Sequence, residues 1–147
     1  MSFEFGPFYS GKIPAAHLVP ALALGAAVVF ADIDPVSLCL DSGDIQRHIG
    51  PRTRAIMVVH YCGHPADMDP ILEIAHRHNL AVIEDVSHAH GALYKGRMVG
   101  SFGNVSATSM MTLKSFAIGE GGMLLTDDPK IHQRAIAFAH YRRHDQL

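Results

Sequence analysis

Side chains suited to catalysis follow two short apolar runs that are typical of buried strands. Asp85 comes at the end of the run Ala81–Glu84, His88 lies in the turn after it, and Ser109 and Lys114 follow the next such run. In open α/β sheets, ligands bind beyond the carboxyl ends of the strands. We therefore expect these side chains to converge on one crevice, although a lone Asp at such a place is more often a helix cap or a surface carboxylate.

Among these residues, the lysine has the most distinctive chemistry. Lys114 lies in Ser109–Phe116 between apolar neighbours, which disfavour the charged ammonium form. A neutral lysine amine attacks carbonyl groups and forms Schiff bases with them. The alternative interpretation is a solvated surface charge, which is the more common role of a loop lysine.

The glycine-rich turn and the histidines favour structural interpretations. Gly119–Gly122 has neither the Walker pattern nor the dinucleotide-binding fingerprint, and glycine-rich turns between strands are common. The pairs His76/His78 and His88/His90 are spaced two residues apart, which separates their side chains on a helix. No pair of Cys and pair of His has zinc spacing, so we expect no metal site.

Strands and helices alternate along the chain. The apolar runs are short and continuous, and the segments between them repeat apolar residues at helical spacing. This alternation predicts the α/β class, with a mainly parallel sheet and helices on both faces. The predicted strands are Val28–Ile33, Ala55–His60, Ala81–Ile83, Val105–Ser109 and Met123–Thr126, and the predicted helices are Ala15–Leu24, one capped by Asp41 or Ser42 that ends at His48, one opened by Asp67, and Pro129–Arg142.

Length, charge and composition exclude several classes of protein. The 147 residues fit one domain, and the net charge of -2 argues against a nucleic-acid-binding protein. The apolar stretch Ala15–Ala31 is interrupted by His17 and Pro20 and is too short to span a membrane. It also follows a poor basic leader, which argues against a signal peptide. With only Cys39 and Cys62, the chain suits a reducing compartment, so we expect a cytoplasmic protein.

The segment Glu84–Ala92 (EDVSHAHGA) resembles the DegT/DnrJ/EryC1/StrS family of pyridoxal-phosphate sugar aminotransferases. The resemblance continues in order over most of the chain and implies the aspartate-aminotransferase fold. Its other matching motifs are Gly25–Asp34, His60–Asp69, Tyr94–Gly103, Ser109–Lys114 and Gly119–Thr126.

The resemblance implies a role for each of five residues. Lys114 matches the Schiff-base lysine, and Asp85 matches the partner of the cofactor's pyridine nitrogen. Ser109 matches the phosphate-binding hydroxyl, and Ser87 the residue against the ring face. His88 stands where many members have a Gln that reaches the phenolic oxygen, a hydrogen bond that imidazole also makes. Pyridoxal 5'-phosphate is therefore the expected cofactor.

The implied reaction moves an amino group from Glu or Gln to a keto-sugar, nucleotide-sugar or cyclitol. An ionised Asp85 keeps the pyridine nitrogen protonated, and Lys114 shuttles the α proton of the amino acid. Relatives that act as dehydratases have His in place of this lysine, so Lys114 favours transamination. The family also implies a homodimer, because its active sites form across the subunit interface.

The sequence also departs from the family pattern. Residues 1–147 match only the central part of a large domain, without the upstream Gly-Thr-Ala helix start or the C-terminal small domain. Pro14 stands at the position where family members usually have an aromatic residue that stacks on the cofactor. Neither Phe8 nor Tyr9 is an obvious replacement. The alternative hypothesis is thus a catalytically inactive fragment or interaction module. A desulfurase is disfavoured, because neither cysteine lies in an evident reactive loop.

Overall fold

The computed structural model describes residues 4–8 and 15–139. In chain order, the elements of this part of the protein are β1 (Glu4–Phe8), α1 (Ala15–Ala23), β2 (Ala27–Phe30), α2 (Ser42–His48), β3 (Thr53–Val59), α3 (Met68–His78), β4 (Ala81–Asp85), β5 (Leu93–Tyr94), β6 (Arg97–Met98), β7 (Val105–Ser109), β8 (Gly122–Leu125) and α4 (Pro129–Ala139).

Six of the strands form one sheet in the order β2-β1-β3-β4-β7-β8. The first five run parallel, and β8 pairs antiparallel with β7. Asp85 at the end of β4 is in register with Val59 of β3 and Ala107 of β7, so β3 and β4 end together and β7 continues for two more residues. This architecture confirms the predicted α/β class and the mainly parallel sheet.

The element bounds differ from the predicted ones in a few places. β1 was not predicted, yet it lies inside the sheet between β2 and β3. β2 ends at Phe30 rather than Ile33, and Ile33 forms an isolated antiparallel bridge with Leu40 just before the turn at Asp34, whose carboxylate accepts the backbone N–H of Ser37 at 2.6 Å. α4 is described as far as Ala139, and Pro14, Tyr9 and residues 140–142 lie outside the described residues.

The main core lies between the sheet and the helices α2 and α3. α2 begins after Asp41, whose side chain accepts the N–H groups of Gly43 and Asp44, as one of the two predicted caps requires. α3 begins after Asp67 and ends at Asn79, which adopts the left-handed conformation with φ 52°. The core residues are Ala31, Cys39, Leu40, Ile45, Ile56, Val58, Ala66, Met68, Ile71, Ile74, Ala75 and Val82.

The hairpin β5-β6 is attached to the start of α3. Its two-residue turn, Lys95-Gly96, has positive φ at both positions, as a type I′ turn requires. The Tyr94 hydroxyl donates to the Asp67 carboxylate, and the Lys95 ammonium pairs with Asp69. The segment after the hairpin, residues 100–103, therefore lies beside β4.

The edge strand β8 is not covered by the described helices. All four of its residues are exposed, including the apolar Met123, Leu124 and Leu125. None of the described helices is both long and apolar enough to cross a membrane.

Candidate functional site

A cavity of about 270 Å³ lies at the carboxyl ends of β3, β4 and β7. It contains three of the five residues that the sequence singled out, namely Ser87, His88 and Lys114. The remaining lining residues are Cys62, Gly63, Leu113 and Ser115. The tertiary structure therefore brings side chains from three separate loops to the edge of the sheet where open α/β folds bind ligands.

Lys114 lies on a loop that the backbone closes on itself. The N–H groups of Thr112 and Ile118 donate to the carbonyls of Gly119 and Met110, and the Lys114 N–H donates to the Met111 carbonyl. The lysine side chain is half-buried. Among the described residues, none forms a hydrogen bond or ion pair with its amine. A half-buried amine without a partner in the described part of the chain is available to bind a ligand.

Ser87 connects the other two predicted residues, which do not line the cavity themselves. Its N–H donates to Asp85 Oδ1 at 2.7 Å, and its hydroxyl oxygen accepts the Ser109 N–H at 2.8 Å. The Ser109 hydroxyl in turn accepts the Met111 N–H at 3.4 Å. One short chain of hydrogen bonds therefore joins the end of β4 to the end of β7, beside the cavity.

His88 is an exposed side chain held against an aromatic ring. It stacks on Tyr61 with the ring centroids 5.6 Å apart and an angle of 26° between the planes. Its carbonyl accepts the Gly63 N–H at 2.7 Å. The loop after β3 and the loop after β4 thus hold each other at the cavity wall.

Behind the cavity, Glu84 and His60 form a fully buried pair. His60 Nε2 lies 3.0 Å from Glu84 Oε2, and both side chains are 0% exposed. The Glu84 carboxylate also accepts three backbone N–H groups, from Gly100 at 2.7 Å, Phe102 at 2.8 Å and Gly103 at 2.6 Å. Burial raises the pKa of Glu84, but the bonds from His60 and the three amides outweigh that effect and lower the pKa below its ordinary value of 4.5.

Glycine is required where this backbone approaches the carboxylate and the strand. A Cβ at Gly103 would lie 2.6 Å from the Val82 carbonyl oxygen. A Cβ at Gly100, where φ is +88°, would lie 2.9 Å from a methyl of Val86. The amides of residues 100–103 reach Glu84 only because these two positions have no side chain.

Other parts of the described structure show no comparable chemistry. A larger cavity of about 470 Å³ lies at the amino ends of β3 and β4, lined by the turn at 49–54 and by residues 78–80. Its lining includes His78 but none of the five candidate site residues. Within residues 4–8 and 15–139, no three His, Cys, Asp or Glu side chains are placed to hold a metal ion.

Sequence reasoning missed several residues of this region. Tyr61 and Cys62 follow β3 and contact the site, and His60 and Glu84 support it from behind. Glu84 does leave a signal in the sequence, because an acidic residue inside an apolar parallel strand is rarely buried without partners. The identity of those partners, however, is visible only in the tertiary structure.

Comparison with known proteins identifies an aminotransferase family. The sequence model of the DegT/DnrJ/EryC1/StrS aminotransferase family matches residues 15–146. Over 114 residues, the chain is 46% identical to the L-glutamine:scyllo-inosose aminotransferase of Streptomyces griseus and 43% identical to the GDP-perosamine synthase of Escherichia coli O157:H7. Each match covers 78% of this chain but only 27% and 31% of the two relatives.

Solved structures of other proteins also superpose on this chain over most of its length. S. venezuelae DesV in complex with a ketimine intermediate superposes with a TM-score of 0.85 at 36% identity, covering 95% of this chain and 37% of DesV. The E. coli GDP-4-keto-6-deoxy-D-mannose-3-dehydratase with bound hydrated PLP superposes with a TM-score of 0.84 at 26% identity, covering 92% of this chain and 34% of the dehydratase. The chain thus corresponds to about a third of these proteins.

Proposed function

The chain belongs to the DegT/DnrJ/EryC1/StrS aminotransferase family, and on that premise we propose that it provides the cofactor-binding centre of a pyridoxal-phosphate-dependent aminotransferase. The amino donor would be Gln or Glu, and the acceptor a keto-sugar, nucleotide-sugar or cyclitol. The observation that carries the proposal is the cavity that Lys114 lines together with Ser87 and His88, with an amine that has no partner among the described residues.

The chemical groups of the site fit pyridoxal phosphate. The cofactor carries an aldehyde, a pyridine nitrogen, a phenolic oxygen and a phosphate. Lys114 offers an amine to the aldehyde, Asp85 a carboxylate to the nitrogen, His88 an imidazole to the phenolic oxygen, and Ser109 a hydroxyl to the phosphate. The Ser87 hydroxyl accepts one hydrogen bond from Ser109 and retains a proton that it would donate to the bound cofactor.

The residues then have distinct tasks in the proposed reaction. When bound, pyridoxal phosphate supplies an electron-accepting ring that makes the α proton of the amino donor easier to remove. Lys114 holds the cofactor and afterwards moves that proton as a general base. Asp85 keeps a proton on the ring nitrogen, while Ser109 and His88 fix the orientation of the ring.

A second candidate is a catalytically inactive fragment or interaction module with the same fold. It is favoured by the edge strand β8, whose apolar residues no described helix covers. Such a chain would fold without retaining the cofactor.

A titration with pyridoxal phosphate separates the two candidates. The proposed function requires a saturable visible absorbance band, and borohydride reduction should leave the cofactor covalently attached to Lys114 in peptide mass spectrometry. A chain that is folded by circular dichroism and gives neither signal would be the inactive form. The outcome depends only on the purified protein and needs no sugar substrate.

Replacing Asp85 by Asn is expected to weaken cofactor binding without unfolding the chain. The Asn oxygen can still accept the Ser87 N–H, but the negative charge is lost. A hydrogen bond to a charged group is worth about 1.5–3 kcal/mol, so the Kd should rise about 10- to 150-fold. The control is Asp127→Asn, at an exposed carboxylate before α4. Equal affinities of the two variants in the titration would contradict the role of Asp85.

Self-association is the expected solution state, and the loop around Lys114 supports it. Leu113 is 100% exposed, and Phe116 and Ile118 are 56% and 60% exposed. Apolar side chains grouped in this way mark contact surfaces, and we propose a second copy of the chain as the occupant.

Leu113→Asp is expected to weaken this self-association at little cost to folding, because the side chain is fully exposed among the described residues. We expect a loss of about 1.5 kcal/mol or more, which is a rise in the dimer Kd of about tenfold. Analytical ultracentrifugation would measure it, with Val36→Asp as the control at an apolar residue that is 89% exposed elsewhere. A native chain that stays monomeric at high concentration would refute the proposal.

We also propose a cytoplasmic location. Both cysteines are free thiols in the structure, and one relative is a spore coat polysaccharide biosynthesis protein of Bacillus subtilis. Fractionation of the producing cells would check this.

A further inference from the structure

Burying the pair of His60 and Glu84 behind the cavity carries a large cost in free energy. Removing a carboxylate from water carries a large desolvation penalty, and apolar residues of similar volume often stabilise a protein equally well. Both side chains are nevertheless fully buried and fully hydrogen-bonded. We therefore infer that their role is to fix the conformation of the backbone around them.

His60 fixes the loop that forms one wall of the cavity. Its Nδ1 accepts the Ala66 N–H at 3.1 Å, which joins the two ends of residues 60–66. Within that loop, Cys62 has φ 50°, a left-handed conformation that residues with a side chain rarely adopt. Such a conformation persists only where surrounding bonds enforce it. The bond from Gly63 to the His88 carbonyl holds the tip of the loop, and His60 holds its base.

The hydrogen bonds of His60 determine where its proton lies. Because Nδ1 accepts the Ala66 N–H, the proton of the neutral ring is on Nε2, from which it donates to Glu84. The same carboxylate binds the amides of Gly100, Phe102 and Gly103. One pair of side chains thus fastens the loop after β3 and the segment after β6 to the end of β4, where Asp85 is the next residue.

We propose that His60 and Glu84 are positioning residues for the cofactor cavity, with His60 setting the loop that presents Cys62 and Gly63. This inference rests on the proposed function, since it names the pocket that the pair serves. Neither residue touches the cavity, so neither is catalytic. The pair acts through the loop and through the end of β4.

The proposal is tested with two substitutions that each keep one of the two hydrogen bonds of His60. A Gln at position 60 places an amide nitrogen near the position of Nε2, so it keeps the donor to Glu84 and loses the acceptor for Ala66. An Asn places its oxygen near the position of Nδ1 and does the reverse. Asp44→Asn is the matched control, because Asp44 is a buried carboxylate that accepts the Asp32 N–H and does not line the cavity.

The first readout is the alkylation rate of Cys62, which requires no cofactor. Cys62 is exposed whereas Cys39 is buried, so iodoacetamide should report on the loop. His60→Gln should change the Cys62 rate about fivefold, the factor expected for one lost hydrogen bond, and both His60→Asn and Asp44→Asn should leave it near the native rate. A native rate in His60→Gln would overturn the proposal.

The second readout is the affinity for pyridoxal phosphate. His60→Gln should weaken cofactor binding, and Asp44→Asn should not. A changed Cys62 rate with unchanged cofactor affinity would mean that His60 holds the loop alone, which overturns its assignment to the cofactor site. A native chain that never binds the cofactor refutes the proposed function instead, and the assignment to a cofactor pocket falls with it.

A measurement on the native chain keeps the proposal falsifiable if the variants fail to fold. Nitrogen-15 NMR of the His60 ring distinguishes the protonated from the unprotonated nitrogen. The proposal requires Nδ1 to be unprotonated and Nε2 to carry the proton at neutral pH. A proton on Nδ1 would overturn it whatever the variants do.

Discussion

Replacing Lys114 by Ala should abolish covalent retention of pyridoxal phosphate and reduce amino transfer by at least about 10³-fold, since the lysine is proposed both to hold the cofactor and to act as the general base. The substitution should cost little stability. The amine has no hydrogen-bond or ion-pair partner among the described residues, and the loop is closed by its own backbone. A change within about 0.5 kcal/mol is expected for such a side chain.

Three controls make this result specific to the amine. Lys130→Ala removes an exposed lysine of α4 and should leave activity unchanged. Lys114→Arg keeps the positive charge but lacks a free amine, so it should be as inactive as the Ala variant. Small primary amines added to Lys114→Ala should restore part of the rate, because they supply a neutral amine to the cavity.

Retention of the borohydride-fixed cofactor in Lys114→Ala would contradict the proposed role. It would place the reactive amine on another lysine, which peptide mapping would identify. The same preparation therefore decides the role of Lys114 before any sugar substrate is known.

Glu84→Ala should strongly destabilise the described core. It leaves His60 and the amides of Gly100, Phe102 and Gly103 buried without their acceptor. Breaking a buried, hydrogen-bonded pair in this way costs about 3–5 kcal/mol. Urea unfolding followed by circular dichroism would measure the loss in the free energy of unfolding.

The matched control for Glu84→Ala is Glu73→Ala on α3. Glu73 is exposed and pairs with Arg77 four residues along the helix, an interaction worth no more than about 0.5 kcal/mol. A loss below about 1 kcal/mol in Glu84→Ala would contradict the hydrogen-bond network described above.

The pH dependence of stability carries an independent signature of Glu84. Because its pKa in the folded chain is lower than the ordinary value of 4.5, its contribution is fully present above that value and is lost as the pH falls through the lowered pKa. The difference in unfolding free energy between the native chain and Glu84→Gln should therefore be constant at neutral pH and narrow in acid. A difference that widens in acid would refute the assigned direction.

The local sequence determined which elements form and where most of them begin. Continuous apolar runs predicted the parallel strands, and Asp41 and Asp67 predicted the starts of α2 and α3, because caps and periodicity act over only a few residues. The resemblance, carried by short motifs, named the five candidate site residues. All five are joined in the structure, either by the cavity or by the hydrogen bonds of Ser87.

Long-range pairing determined what the sequence left open. β1 has the sequence EFGPF, in which a glycine and a proline weaken any strand signal, and only its two neighbours in the sheet give it a central place. The strand pattern of β4 likewise puts Glu84 and Asp85 on opposite faces without saying which of them is buried. Glu84 is the buried one of the two because His60 and residues 100–103 donate hydrogen bonds to it. A carboxylate is stable in the core only where enough donors from distant parts of the chain surround it.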